Sequence, residues 1–253
     1  MVQTSAKTNE HMPLRISSIT SFILPLILAA SAILSISFAG KERIYLVTDF
    51  GAVADGRTVN TAAIQRAIDQ CAEKGGGTVV ISQGVFRSGS LFLKQRTNLK
   101  IEEGGVLQGT VNPDDYPQID TRWEGEERKW TACLLNANGL DHIAVSGPGT
   151  LDGAGVEWLE KGRTGQRFGR PRLLGFQNCS HIKVSDLLLH NQASWGLFVL
   201  YSTDVEISRL TIRAAHTIPS SDGIDIDSGN RIRITKCDID VNDDCISIQV
   251  GQR

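Results

Sequence analysis

The sequence predicts an all-β fold of stacked coils, a parallel β-helix with a short capping helix near its N-terminal end. Three observations predict it. Short runs alternate apolar and polar residues, the period-2 mark of strands with one buried face. The runs recur in register: Ile182, Val184, Leu187 and Leu189 are matched by Val205, Ile207, Leu210 and Ile212, 23 residues on, and by Ile232, Ile234, Cys237 and Ile239, 27 residues further. Each run follows a polar turn, namely Cys179-Ser180-His181, Ser202-Thr203-Asp204 or Gly229-Asn230-Arg231. A period of this length means units that cannot bury their apolar face alone and stack to do so. Uneven turn insertions, and the lack of a Leu/Asn signature, separate the pattern from a leucine-rich repeat.

The chain has 253 residues, 41% hydrophobic and 21% charged, which suits one large domain with a sizeable core. Its 25 glycines fit a turn-rich β protein. A net charge of −2 gives no basic field for nucleic acid, so any anionic ligand must be met by local Lys or Arg. Residues 1–39 are read as a signal peptide. Lys7 and Arg15 precede an apolar run from Ile16 to Ala39, broken by Pro25 and several Ser and Thr, that closes on Ser37-Phe38-Ala39. The alternative is an uncleaved N-terminal anchor, because the run of 24 can span a bilayer. Cleavage predicts an exported protein, periplasmic or secreted, with no stable membrane association. Residues 40–253 then form the β-helix domain.

From Tyr45 a short strand runs toward an Asp55-Gly56 turn. Asn60-Thr61 open a helix on which Ala63, Ile64, Ala67, Ile68 and Cys71 repeat at helical spacing. Gly75-Gly76-Gly77 end it. This triple glycine follows a helix and lacks a Gly-Lys-Ser/Thr ending, so it is no phosphate loop. Thr78–Ile81 resume as a strand, with a turn at Gln83-Gly84. Leu99 and Ile101 then follow Thr97-Asn98, and Ile143 and Val145 follow Asp141-His142. Between Asn112 and Arg172 the alternation loosens. Pro113, Pro117, Trp123, Trp130, Trp158 and many charges predict long loops leaving the coil, either cleft walls or loops anchored by local packing. Trp195 reads as a groove-wall or ring-stacking residue, or as core; His216 reads as a ligand contact or an ordinary loop residue. The five cysteines, 71, 133, 179, 237 and 245, form no C-x-x-C pair, which argues against a zinc site among them and leaves buried free thiols as the expectation. Asn178-Cys179-Ser180 fits both a glycosylation sequon and a turn.

The chemistry concentrates late in the chain. Ser221-Asp222-Gly223-Ile224-Asp225-Ile226-Asp227 is followed one repeat on by Asn242-Asp243-Asp244-Cys245-Ile246-Ser247-Ile248. Aligned on their isoleucines, Asp222 and Asp244 hold equivalent places 22 residues apart, with Asp243 beside the second. In neighbouring parallel strands they stack at roughly 4.8 Å. A lone Asp before Gly is usually a solvated turn residue. Three in register are costly, because neighbouring carboxylates resist ionising together. Asp225 and Asp227 alternate outward and read as solvated face residues.

These motifs resemble the polygalacturonase family, glycoside hydrolase family 28, right-handed parallel β-helix enzymes of pectin lyase-like fold that hydrolyse pectin. The resemblance covers residues 45–253. Its moderately specific part is Asp49-Phe50-Gly51-Ala52 with Asp55-Gly56, Asn60-Thr61 and the helix, similar to the N-terminal cap of pectin-degrading β-helices. Its highly specific part is Ser221-Asp222-Gly223-Ile224-Asp225 with Asp243-Asp244-Cys245-Ile246. The resemblance implies hydrolysis of an α-glycosidic bond with inversion: Asp243 as general acid, Asp222 and Asp244 holding and deprotonating the attacking water. Such a pair stands roughly 6.5–9.5 Å apart to admit that water, and mutual repulsion raises one carboxyl so that it stays protonated. Trp195 and His216 are then the substrate-binding candidates. No cofactor or metal is implied. A pectic polysaccharide is the expected partner and a monomer the expected state.

Two departures stand out. Ser220-Ser221 replace the usual Asn-Thr, and Asn242 replaces a Gly, which resembles branches acting on modified or branched pectin and keeps rhamnogalacturonan hydrolysis open. The family's Gly-His-Gly and Arg-x-Lys elements are not in the 253 residues, so the chain is expected to be an N-terminal part, poorly soluble and nearly inactive alone. A polysaccharide lyase using Ca²⁺ and a non-catalytic glycan-binding β-helix are the other readings. No basic residue stands in register beside the trio to serve a lyase, and the trio itself argues against a pure binder.

Overall fold

A computed structural model describes residues 43–160 and 169–250. The signal-peptide reading of residues 1–39 lies outside the described residues. Among the described residues no helix is long and apolar enough to cross a membrane.

The chain winds as a right-handed parallel β-helix whose coils each give one strand to up to three parallel sheets. The first sheet runs through Ile44–Leu46, Gly77–Ile81, Thr97–Ile101, Asp141–Ser146, Ser180–Ser185, Thr203–Ser208 and Asn230–Thr235. The second runs through Asp55–Val59, Gly84–Ser88, Gly105–Gly109, Thr150–Asp152, Leu188–His190, Thr211–Arg213 and Asp238–Asp240. The third runs through Leu91–Phe92, Leu135–Asn138, Leu174–Gln177, Leu197–Leu200, Ile224–Asp227 and Ile246–Gln249. The expected register is found: Ile182 lies opposite Val205 and Val205 opposite Ile232. Inward residues of all three sheets form one continuous core, with Ile182, Val184, Val205, Ile207, Leu210 and Ile224 among its members.

The capping helix spans Thr61–Glu73 and buries Ala63, Ile64, Ala67, Ile68 and Cys71, the five positions its spacing marks. Asn60 stands at its N-cap, but its side chain bonds backward, accepting from Val53 N at 2.7 Å and donating to Val53 O at 3.0 Å. It ties the preceding loop to the helix entry.

The loosened region leaves the coil as an antiparallel hairpin, Gln118–Trp123 with Glu126–Thr131, before coiling resumes at Leu135. Its tryptophans are packing anchors. Trp123 stacks on Trp130 at 4.0 Å and on Trp195 at 4.3 Å between centroids. Trp158 is buried, edge-on to Tyr116.

Two expectations on burial need correction. Cys71, Cys133 and Cys179 are buried thiols, but Cys237 is half-buried and Cys245 exposed. Ile246 and Ile248 alternate as their neighbours do, yet are 44% and 74% exposed, because no coil lies over that strand among the described residues.

Candidate active site

The acidic trio is built by the third sheet. Ile224 lies opposite Ile246 in a parallel ladder, so the residues just before each strand are brought over one another. Backbone bonds lock the turn: Gly223 N donates to Asp244 O at 2.8 Å, and Gly196 N to Asp222 O at 2.9 Å. Gln192 Nε2 also donates to Asp222 O, at 3.0 Å. Gly223 is required here, because a Cβ would run into the Cys245 carbonyl oxygen. One carboxylate oxygen from each of Asp222, Asp243 and Asp244 lies within 4.8 Å of the others. Asp222 is buried and the other two are exposed.

The outward carboxyls of the strand that follows Asp222 are covered, not solvated. Asp225 and Asp227, read from the sequence as solvated, are each only 2% exposed. They do point away from the core, but that face of the third sheet is covered. Arg122 from the hairpin donates to Asp227 Oδ1 at 3.1 Å and to Tyr201 Oη at 3.1 Å. Burial, then Asp222, pushes the Asp225 carboxyl up to about 9. Burial, then Asp243, pushes Asp222 up to about 6. Neither oxygen of Asp225 has a hydrogen-bond partner among the described residues. Buried without a donor and beside a second carboxylate, Asp225 keeps its proton.

Trp195 is not a groove wall. It is 4% exposed and packs in the stack with Trp123, beside Phe198 and beneath the buried guanidinium of Arg172, which lies 4.3 Å from its ring centre. His216 is exposed and pairs through Nε2 with Asp240 Oδ1 at 2.8 Å, not with the trio.

Arg172 is the largest residue that pattern reading passes over. It is 1% exposed, sits 4.0 Å from the Phe198 ring centre, and donates to the Arg122 carbonyl. Burial lowers it to about 10, against the opposing pull of Cys133, Asp225 and Asp227. It lines a cavity of about 370 Å³ on the same sheet face, together with Phe92, Asn136, Phe176, Gln177 and Phe198. None of the trio lines that cavity. The only sequence signal for this cluster was the coincidence of Arg, Trp and Asp residues near the loosened region.

As a ligand set the trio brings one oxygen from each residue together, so most of the six to eight positions Ca²⁺ takes would fall to the second carboxylate oxygens and to water. Its arrangement suits proton transfer instead: an exposed edge with two accessible carboxyls, and a third whose proton affinity is tuned from below.

A model of the glycosyl hydrolases family 28 matches residues 71–253. A probable polygalacturonase of Vitis vinifera is 30% identical over 215 residues, covering 81% of this chain and 44% of its own length. An exo-poly-alpha-D-galacturonosidase of Dickeya chrysanthemi is 24% identical, covering 81% of this chain and 42% of its own. Among solved structures, a hyperthermoactive exopolygalacturonase from Thermotoga maritima superposes with TM-score 0.74 at 27% identity, over 84% of this chain and 55% of that one. The chain thus spans under half the length of these curated relatives.

Proposed function

The chain belongs to glycosyl hydrolase family 28, and from that premise we propose that it carries the acid/base half-site of an exported hydrolase cleaving α-glycosidic bonds of pectic polysaccharide. The carrying observation is the convergence of Asp222, Asp243 and Asp244 on adjacent coils. Asp243, exposed, protonates the leaving oxygen. Asp222, with its proton affinity raised and its backbone held by Gly196 and Gln192, accepts a proton from water positioned with Asp244. A base tuned to about 6 is a stronger acceptor than an ordinary carboxylate and is still ionised at neutral pH. Galacturonan is the favoured substrate, since the named relatives act on it.

Product analysis tests this. Incubation with polygalacturonate and with rhamnogalacturonan, followed for new reducing ends and ultraviolet absorbance, should give reducing ends without absorbance on polygalacturonate. Proton NMR of the first-formed product should show the anomer opposite to the substrate linkage. The retained anomer would replace inversion by double displacement. An unsaturated, absorbing product would mean elimination and overturn the hydrolytic roles.

A further inference from the structure

At the outer corner where the third sheet passes into the first, a second constellation stands apart from the acidic trio. Asp141 lies opposite Ser180 in the parallel ladder, so the next residues, His142 and His181, occupy equivalent places on successive coils. Both adopt left-handed backbone angles, φ 56° and 50°, which His tolerates better than most residues. The coil geometry therefore fixes both backbones, and the rings stack at 4.4 Å with 20° between planes.

Both rings aim the same nitrogen at one carboxylate. His142 Nδ1 lies 2.8 Å from Asp141 Oδ2, and His181 Nδ1 lies 2.7 Å from Oδ1. Ser180 Oγ donates to Oδ1 at 2.6 Å. One atom from each of the three residues lies within 4.8 Å of the others.

We propose that Asp141, His142 and His181 form a divalent transition-metal site of the zinc type, with two imidazoles, one carboxylate and the remaining positions open to solvent. Imidazole with carboxylate selects such ions over Ca²⁺ or Mg²⁺. Bonds of about 2.0–2.2 Å at tetrahedral angles spread ligand atoms roughly 3.0–3.5 Å apart, a spacing that three atoms already within 4.8 Å of one another reach by small side-chain rotations. The side chains are 72% and 51% exposed and free to make that shift. On binding, each Nδ1 takes the metal and its proton moves to Nε2. His181 Nε2 already faces Asp204 Oδ2 at 3.7 Å, an outer carboxylate of the kind that orients metal-bound imidazole. The ion would clip two coils together and stabilise them by mass action.

Isothermal titration of the full chain with zinc chloride at neutral pH tests this, with circular dichroism confirming that each variant is folded. The expected result is uptake that persists in Asp243→Asn and weakens about tenfold or more in both His142→Ala and His181→Ala. Zinc should raise the melting temperature of the wild type and of Asp243→Asn, and not that of the histidine variants. No uptake at millimolar zinc, or uptake unchanged in either histidine variant, overturns the site.

Discussion

The buried carboxyl of Asp225, on the outer face of its strand, has no hydrogen-bond partner among the described residues and is raised first by burial and then by the neighbouring Asp222, in the turn before it. This burial gives the fold a pH dependence. Asp225 keeps its proton in the native state to about 9, while in the unfolded chain it ionises near 4. Between those values the unfolded state binds fewer protons than the native one, so stability falls as pH rises, with a slope approaching about 1.4 kcal/mol per pH unit. Asp225→Asn removes the titration and keeps the shape of the side chain. Its melting temperature should lie above that of the wild type near pH 8 and should lose most of the wild-type decline from acid to neutral pH. A variant that declines in parallel with the wild type would place the buried proton elsewhere.

Asp222 must be ionised to act as base, whichever carboxylate delivers the proton. Its raised affinity predicts an acidic limb in kcat/KM near pH 6, falling about tenfold per pH unit below it. Asp225 lowers Asp222, so Asp225→Ala should move the limb upward; Asp225→Asn should leave it nearly in place. Initial rates on polygalacturonate between pH 4 and 8 would show either shift.

Asp243 is the exposed member assigned to protonate the leaving oxygen. Asp243→Asn should lower kcat by about 10²–10⁴ and change KM little, because a general acid acts in the transition state. Its melting temperature should be close to wild type, since the side chain is exposed. A substrate whose leaving group needs no proton should recover most of the lost rate. Equal loss on both substrates would assign Asp243 to binding instead.

The sequence carried the coil and the trio because both follow from local alternation plus a repeat. Ile182, Val205 and Ile232 align by counting, and the Ile224–Ile246 register then brings Asp222 to Asp244. Alternation says which way a side chain points, not what covers it. Asp225 and Asp227 point outward as expected, yet contacts separated by 105 residues in sequence, from Arg122 to Asp227, bury that face. No periodicity encodes where a hairpin folds down. Trp195 was ambiguous for the same reason: its partners, Trp123 and Arg172, lie on other coils and in the hairpin.

That covering hairpin is held by a charge pair whose removal should be costly. Arg122 and Asp227 side chains are 5% and 3% exposed at 3.1 Å. Asp227→Ala leaves a buried guanidinium short of its counter-ion, a loss of about 3–5 kcal/mol in general. Tyr201 Oη at 3.1 Å and Glu127 at 3.6 Å still reach Arg122, so the lower end of that range is expected. Replacing both partners, Arg122→Met with Asp227→Leu, should cost less than the single change, because no charge is left stranded. Denaturant unfolding followed by tryptophan fluorescence reads this directly, since Trp123 and Trp130 sit in the hairpin and stack on each other. A double variant as unstable as Asp227→Ala would show that packing of the Arg122 stem, rather than its charge pair, seats the hairpin on the sheet.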